Sequence, residues 1–212
     1  MSGRTFIARH GETVFNAAGR MQGEALHTPL TRAGFLQAEE MGAALRRALG
    51  PKPPLTLWAS TAGRALQTLA IVAEHLELDW HAARTDPRLG EIGMGEWGGR
   101  LYRELAAEQG EDWFDPAHGI FTIVAPGGEG YDEMAVRLRA WLADTAHDEG
   151  DRLVVMHGMS SRVLRGLMTG AADHPGCGAP IAAGLPQGSV VAIEAGIERL
   201  VHVGGGGGGR AA

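Results

Sequence analysis

Thr5-Phe6-Ile7-Ala8-Arg9-His10-Gly11-Glu12-Thr13 stands near the start of the chain, and its reading decides the fold. Thr5 to Ala8 is a short apolar run of the kind that forms a buried strand. An arginine, a histidine and a glycine directly after such a strand are an unusual end for a core element. Arginine carries a rigid fork of donors that matches phosphate oxygens. Histidine offers a ring nitrogen that is neutral near pH 7 and serves as base, nucleophile or metal ligand. Glycine lets the backbone turn sharply and approach a ligand closely. The stretch points to an anion site at a strand end, with Arg9 gripping a phosphoryl group and His10 attacking it.

Working outward, Gly11 to Pro29 reads as a long polar loop holding Asn16, Arg20, Gln22 and Gly23, and loops of that length are usually functional. Thr31 caps a helix with Leu36, Met41, Leu45 and Leu49 at helical spacings, stopped by Gly50-Pro51-Lys52-Pro53-Pro54. Leu55 to Ala59 is a second strand. Ser60-Thr61 caps the next helix, which runs to about Leu76 and carries Arg64 in its first turn. Trp80 to Ala83 reads as a short strand, and Arg88 to Gly99 is too rich in glycine for a regular element. A helix is expected over Leu101 to Gln109. A lid segment covers about residues 100–130, and its Trp113, Phe114, Ile120 and Phe121 suggest a partly apolar wall. Another helix covers Tyr131 to Ala146, with Met134, Leu138, Trp141 and Leu142 along one face. Leu153 to Met156 is a third buried strand, followed at once by His157-Gly158 and by a helix from Ser160 to Met168. Ser189 to Glu194 and Arg199 to Val203 form a closing hairpin around Ala195-Gly196.

Strands alternating with helices predict an α/β fold, a three-layer αβα sandwich with a mostly parallel sheet. Ligands bind such sheets beyond the carboxyl ends of the strands. Arg9-His10, Arg64 and His157 each follow a different strand, and their convergence is the main argument for a site. Residues 1–203 read as a single domain, and 204–212 as a flexible glycine-rich tail.

The 212 residues suffice for one sizeable core, and 44% hydrophobic with 21% charged residues is ordinary for a globular chain. A net charge of -6 without a basic run argues against a nucleic-acid partner. The single cysteine, Cys177, excludes an internal disulfide and a cysteine-based zinc site. No stretch has the length of a signal peptide's apolar core or of a membrane span, so a cytoplasmic protein with no membrane partner is expected. The hairpin edge near Val190 to Val203 offers pairing in a homodimer.

A phosphoryl group in transfer spreads negative charge over three oxygens. Arg9 and Arg64 can hold two edges of it and a protonated His157 the third, with the helix N-terminus behind Arg64 adding positive potential. His10, neutral and held in one orientation, would form a phosphohistidine that water cleaves. The departing alkoxide needs a proton. Glu91, in a glycine-rich loop beside Met94 and Trp97, is the best-placed acid if apolar burial keeps it protonated. From chemistry alone, Asn16 and Gln22 fit either a loop cap or a ligand contact. Arg88, Arg100, Arg103 and Arg137 offer contacts to a second anionic group, although solvated surface explains them as well. His27, His75, His81, His118, His147, His174 and His202 read as surface or structural.

Taken in order, Arg9-His10-Gly11-Glu12-Thr13 with Asn16, Arg20-Met21-Gln22-Gly23, Pro29-Leu30-Thr31-x-x-Gly34, Ser60-Thr61-Ala62-Gly63-Arg64-Ala65-x-Gln67-Thr68, Leu89-x-Glu91-x-x-x-Gly95-x-Trp97-x-Gly99 and Val154-Val155-Met156-His157-Gly158 resemble the histidine phosphatase superfamily, the phosphoglycerate mutase-like proteins. The resemblance spans about Phe6 to Val203. It implies that fold, with His10 as phosphorylated nucleophile. Arg9, Arg64 and His157 would form the phosphate pocket, lined by Asn16 and the Gln22-Gly23 loop, and Glu91 would be the general acid of the phosphatase branch. It implies no metal and no cofactor. It departs from the family in His27, where aspartate or asparagine is common, in Gly128-Glu129-Gly130 and in Gly158-Met159-Ser160. The lid is short for a true phosphoglycerate mutase, so hydrolysis of a small phosphate ester is the leading expectation. A mutase and a phosphoryl-ligand binding module with little turnover are the alternatives.

Overall fold

The computed structural model describes residues 3–206. Six strands form one sheet: β1 (Thr5–Arg9), β2 (Leu55–Ala59), β3 (Arg84–Thr85), β4 (Asp151–Met156), β5 (Val190–Glu194) and β6 (Ile197–His202), in the order β6-β5-β1-β4-β2-β3. β1, β4, β2 and β3 run parallel, while β5 and β6 add an antiparallel edge. The turn between them places Ala195 at φ 49° and Gly196 at φ 78°, the left-handed pair a two-residue hairpin needs.

Because successive side chains alternate faces, each parallel strand feeds two cores. Phe6, Ala8, Leu57, Leu153 and Val155 pack on one face against helices α2 (Arg32–Leu49) and α3 (Gly63–Leu76) through Met41, Leu45, Leu69 and Val72. Ile7, Trp58, Val154 and Met156 pack on the other against α5 (Tyr131–Asp144) and α6 (Gly158–Thr169) through Met134, Leu138, Trp141 and Val163. The remaining helices, α1 (Val14–Ala17) and α4 (Tyr102–Gln109), lie in the loops above the strand ends. The result is the αβα sandwich with a mostly parallel sheet. Among the described residues no helix is long and apolar enough to cross a membrane.

Several local expectations change. The loop after β1 contains α1, whose N-cap Thr13 and Asn16 close a capping box. Leu36 is 60% exposed; the buried stripe of α2 runs through Gln37, Ala38, Met41 and Leu45. The step from 36 to 41 turns a helix by about 500°, which puts Leu36 well off that stripe. Trp80–Ala82 is a 3₁₀ turn, and the strand comes two residues later, at Arg84–Thr85. The lid holds a short hairpin, Phe114–Asp115 with Ile120–Phe121, and a second hairpin the sequence did not suggest pairs Asp173–His174 with Ala179–Pro180. Trp113, Ile120 and Phe121 are buried in the main core, where Trp113 and Phe121 pack against Trp97, and Phe121 also lines a cleft under the lid. Gly204, assigned to the tail, is packed: its N–H donates to Ser189 Oγ at 2.9 Å, and a Cβ there would sit 2.0 Å from the Gln187 carbonyl. Residues 207–212 of that tail lie outside the described residues.

Candidate active site

The sheet register brings the site together. Arg9 pairs with Met156 across β1 and β4, and the His10 N–H donates to the Met156 carbonyl at 3.0 Å, so His10 and His157 leave neighbouring strands at the same level. Their rings stand edge to face with centroids 5.1 Å apart. On the other side of β4, Ala59 pairs with Val155 and the chain turns through Ser60 into α3, delivering Arg64 to the same point. Close approach is needed at Gly11: a Cβ there would meet the Gly34 carbonyl at 2.3 Å, so any larger residue would push α2 off the strand end.

Hydrogen bonds set both tautomers. His10 Nδ1 lies 2.7 Å from the Gly11 carbonyl, which only accepts, so Nδ1 carries the proton and Nε2 keeps its lone pair. Arg64 Nε, which only donates, is 3.1 Å from His157 Nδ1; His157 therefore carries its proton on Nε2, 2.7 Å from Ser60 Oγ. Both imidazoles are buried, His10 2% and His157 0% exposed. Burial, with Arg64 next and then Arg9, holds His10 well below the usual imidazole range. Burial, then Arg64 and His10, does the same to His157. The free site thus holds two neutral histidines, and the protonated His157 expected from sequence is corrected: a guanidinium already donates to its ring, and a second positive charge there would be desolvated and repelled.

Arg64 is 0% exposed and spends every donor group on the site's walls: Nη1 on the Ala25 carbonyl (2.5 Å) and Thr28 Oγ1 (3.0 Å), Nη2 on the Gly23 carbonyl (2.8 Å), Nε on His157. Burial lowers its pKa to about 10, which leaves it charged at neutral pH. Arg9 donates from Nη1 to the Leu185 carbonyl at 2.5 Å, while its buried Nε has no partner among the described residues. Arg9 and Glu91 both border Gly158, where a Cβ would sit 3.3 Å from Arg9 Nη2 and 3.4 Å from Glu91 Oε2.

Glu91 reaches the cluster in an unexpected way. Met94 and Trp97 are buried in the core, and the half-buried carboxylate is met by backbone donors instead. Oε1 accepts from the N–H groups of Ile92 (3.0 Å), Met159 (3.1 Å) and Ser160 (2.9 Å), and Oε2 from Met159 (3.0 Å). Glu91 therefore caps the N-terminus of α6, which its own N-cap, His157, leaves without a side-chain bond.

Gly23 contributes its carbonyl to Arg64. Gln22 Oε1 accepts from the Thr13 hydroxyl, Asn16 Oδ1 accepts from the Thr13 N–H at 3.1 Å, and the Asn16 N–H donates to Thr13 Oγ1 at 3.2 Å, so both brace the loop. Sequence reasoning missed Ser60, taken for a helix cap although α3 starts from Ala62 without one. It also missed Thr28, and Tyr102, whose phenol burial and the Glu91 charge push up to about 12. Only the tertiary contacts single them out.

A cleft of about 500 Å³ opens on the site beside Ser60, Arg64 and Glu91, with Glu24, Glu129 and Arg137 also on its wall. Glu24 Oε2 accepts from the Met94 N–H at 2.7 Å, and Glu129 pairs with Arg137 at 2.5 Å. Of the arginines offered for a second anion, Arg88 is held by Asp86 and Asp144, Arg100 by Glu108 and Arg137 by Glu129, while Arg103 is exposed.

Comparisons with known proteins give the family. The profile of the Histidine phosphatase superfamily (branch 1) matches residues 5–194. A protein named Probable phosphoglycerate mutase GpmB from Erwinia tasmaniensis is 37% identical over 164 residues, covering 76% of this chain and 72% of its own; one of the same name from Yersinia pestis is 32% identical over 174 residues, covering 81% and 77%. Among solved structures, mycobacterial glucosyl-3-phosphoglycerate phosphatase in complex with VO3 superposes with a TM-score of 0.75 at 25% identity, covering 97% of this chain and all of its own. Mycobacterial hydrolase 1 superposes with a TM-score of 0.74 at 26% identity, covering 90% and 88%. With its profile matched along nearly the whole sheet and two histidines meeting an arginine at the strand ends, this chain belongs to the histidine phosphatase superfamily.

Proposed function

We propose that this protein is a cytoplasmic phosphomonoesterase that works through a phosphohistidine and needs no metal for its chemistry. The observation that carries the reading is the desolvated neutral His10, its Nε2 lone pair free, beside two guanidinium groups. His10 Nε2 attacks phosphorus, the ester P–O bond breaks, and its electron pair leaves with the alkoxide, which takes a proton from Glu91. Water then attacks the phosphohistidine, the P–N bond breaks back to neutral His10, and Glu91 recovers a proton from that water. Arg9, Arg64 and His157, the last through the Ser60 hydroxyl to which its Nε2–H donates, carry the phosphoryl charge, with electrostatic complementarity to three oxygens as the main source of rate.

The charges at the cleft favour an uncharged or cationic alcohol as leaving group. Glu24, Glu91 and Glu129 stand there against Arg64 and Arg137, and Arg137 is already matched by Glu129. With Glu91 protonated as the acid, Arg137 matched by Glu129 and Arg64 committed to the phosphoryl group, a second carboxylate or phosphate would meet Glu24 and no unmatched cation on this wall. The relatives' name supports a second reading, a phosphoglycerate mutase, which would have to hold the substrate carboxylate at this same rim. A panel of phosphomonoesters with free phosphate as readout tests both. The expected result is release of phosphate from neutral or amino alcohol esters, with 3-phosphoglycerate poor. Isomerisation of phosphoglycerate primed by the bisphosphate, without free phosphate, would establish the mutase. Rapid-quench labelling should trap a phosphorylated protein that His10→Ala cannot form, and label retained in that variant would refute the nucleophile assignment.

A further inference from the structure

Away from this site, two hairpins distant in sequence bring together Asp115, His118 and His174, and one donor atom from each lies within 4.8 Å of the other two. Asp115 and His118 come from the lid hairpin, where the His118 ring nitrogen Nδ1 is 2.5 Å from Asp115 Oδ2. An aspartate that organises a tight turn explains that pair: Asp115 Oδ1 also accepts from the N–H groups of Ala117 (2.8 Å) and His118 (3.2 Å). It does not explain His174, which reaches the pair from the 173–180 hairpin and sets its ring edge to face with that of His118 at 4.9 Å.

One buried cation holds the lid hairpin and the chain two residues beyond the 173–180 hairpin. Arg162 of α6 donates from Nη2 to the His118 carbonyl and from Nη1 to the Gly119 carbonyl, each at 2.6 Å, and from Nε to the Ala182 carbonyl at 2.8 Å. The 173–180 turn is closed by Cys177 and Gly178, whose N–H groups donate to the His174 carbonyl at 3.1 and 3.0 Å. The donor side chains therefore project from turns already held in place, so little backbone order has to be gained on binding.

We propose that Asp115, His118 and His174 form a binding site for a divalent transition-metal ion that latches the lid hairpin to the 173–180 hairpin. Two imidazoles and one carboxylate suit zinc, cobalt or nickel, and disfavour magnesium and calcium, which take oxygen donors. Tetrahedral ligand atoms about 2.0–2.1 Å from zinc stand about 3.4 Å apart, so the His118–Asp115 pair, at 2.5 Å, opens to admit the ion while the wider separations, up to 4.8 Å, close on it. The ion takes the place of the proton between His118 Nδ1 and Asp115, which passes through solvent to His118 Nε2 so that the ring ligates as neutral imidazole, and water completes the shell. The site shares no residue with the His10 cluster, so it stands or falls independently of the proposed reaction.

The test uses the full chain, untagged and stripped by chelator, titrated with zinc by calorimetry and with cobalt by visible absorption. One equivalent should bind with a four-coordinate cobalt spectrum, and zinc at a hundredfold excess over Kd should raise the Tm by about 5–10 °C. His118→Ala and His174→Ala, both outside the core, should each weaken binding by at least about tenfold, since losing a ligand costs no less than losing its outer partner. His10→Ala should leave binding unchanged. Absence of saturable binding, binding retained in both His118→Ala and His174→Ala, or loss of binding in His10→Ala, which would place the ion on the active-site imidazoles, would each overturn the proposal.

Discussion

Glu91→Gln separates the helix cap seen in the structure from the proton donation we propose for the same side chain. The carboxylate caps α6 through the N–H groups of Met159 and Ser160 and also accepts from Ile92. Glutamine keeps one acceptor oxygen, so it can replace the Oε1 contacts but not the Met159 contact to Oε2. Charge-assisted hydrogen bonds contribute about 1.5–3 kcal/mol and neutral ones about 0.5–1.5 kcal/mol, so the net loss should be about 1–2 kcal/mol. For a chain of this size that is a fall in Tm of about 2–8 °C. The same substitution removes the proton donor. Turnover of an alkyl phosphate, whose alkoxide needs that proton, should drop by about 10²–10⁴-fold, whereas 4-nitrophenyl phosphate, with its stable leaving group, should lose far less. Steady-state kcat/KM on both esters, read beside a thermal melt, is the assay. An equal loss on both substrates together with the lower Tm would make Glu91 a cap and nothing more, and the acid role would be withdrawn.

Other perturbations follow from the same geometry. Arg64→Lys keeps a charge but cannot serve Gly23, Ala25, Thr28 and His157 together; stability should fall by about 2–4 kcal/mol and kcat/KM by about 10²–10³-fold, and near-normal melts and kinetics would show that the buried fork is dispensable. Ser60→Ala strands the His157 Nε2–H, costing about 1–3 kcal/mol; unfolding in urea measures it, and an unchanged midpoint would remove Ser60 from the network. His10 and His157 both have lowered pKa values in the folded protein. The unfolded chain therefore binds more protons below about pH 6.5, and stability should decline as pH falls from there, by up to about 1.4 kcal/mol per unit for each ring. Saturating phosphate, whose charge favours protonation of the folded site, should flatten that slope; a pH-stability curve flat from 7 to 5 without phosphate would contradict the neutral assignments.

The sequence by itself determined the three long parallel strands, the main helices between them and the strand ends that carry the site. Apolar runs at Thr5–Ala8, Leu55–Ala59 and Leu153–Met156 are short and β-rich, the amphipathic helices between them require crossovers, and chemistry placed directly after a strand marks its carboxyl end. Arg9, His10, Arg64 and His157 were legible for that reason. The tertiary structure alone decided their protonation and partners. Register across β1 and β4 sets the distance between the two rings, and an arginine donor on one of them fixes its tautomer and disfavours a charged imidazole. Glu91 was found by its neighbours in sequence but is held by the far end of the chain, at α6. Ser60, Thr28 and the Asp115, His118 and His174 cluster carry no local signal, because the groups that give them meaning are brought close only when distant turns pack against the same helices.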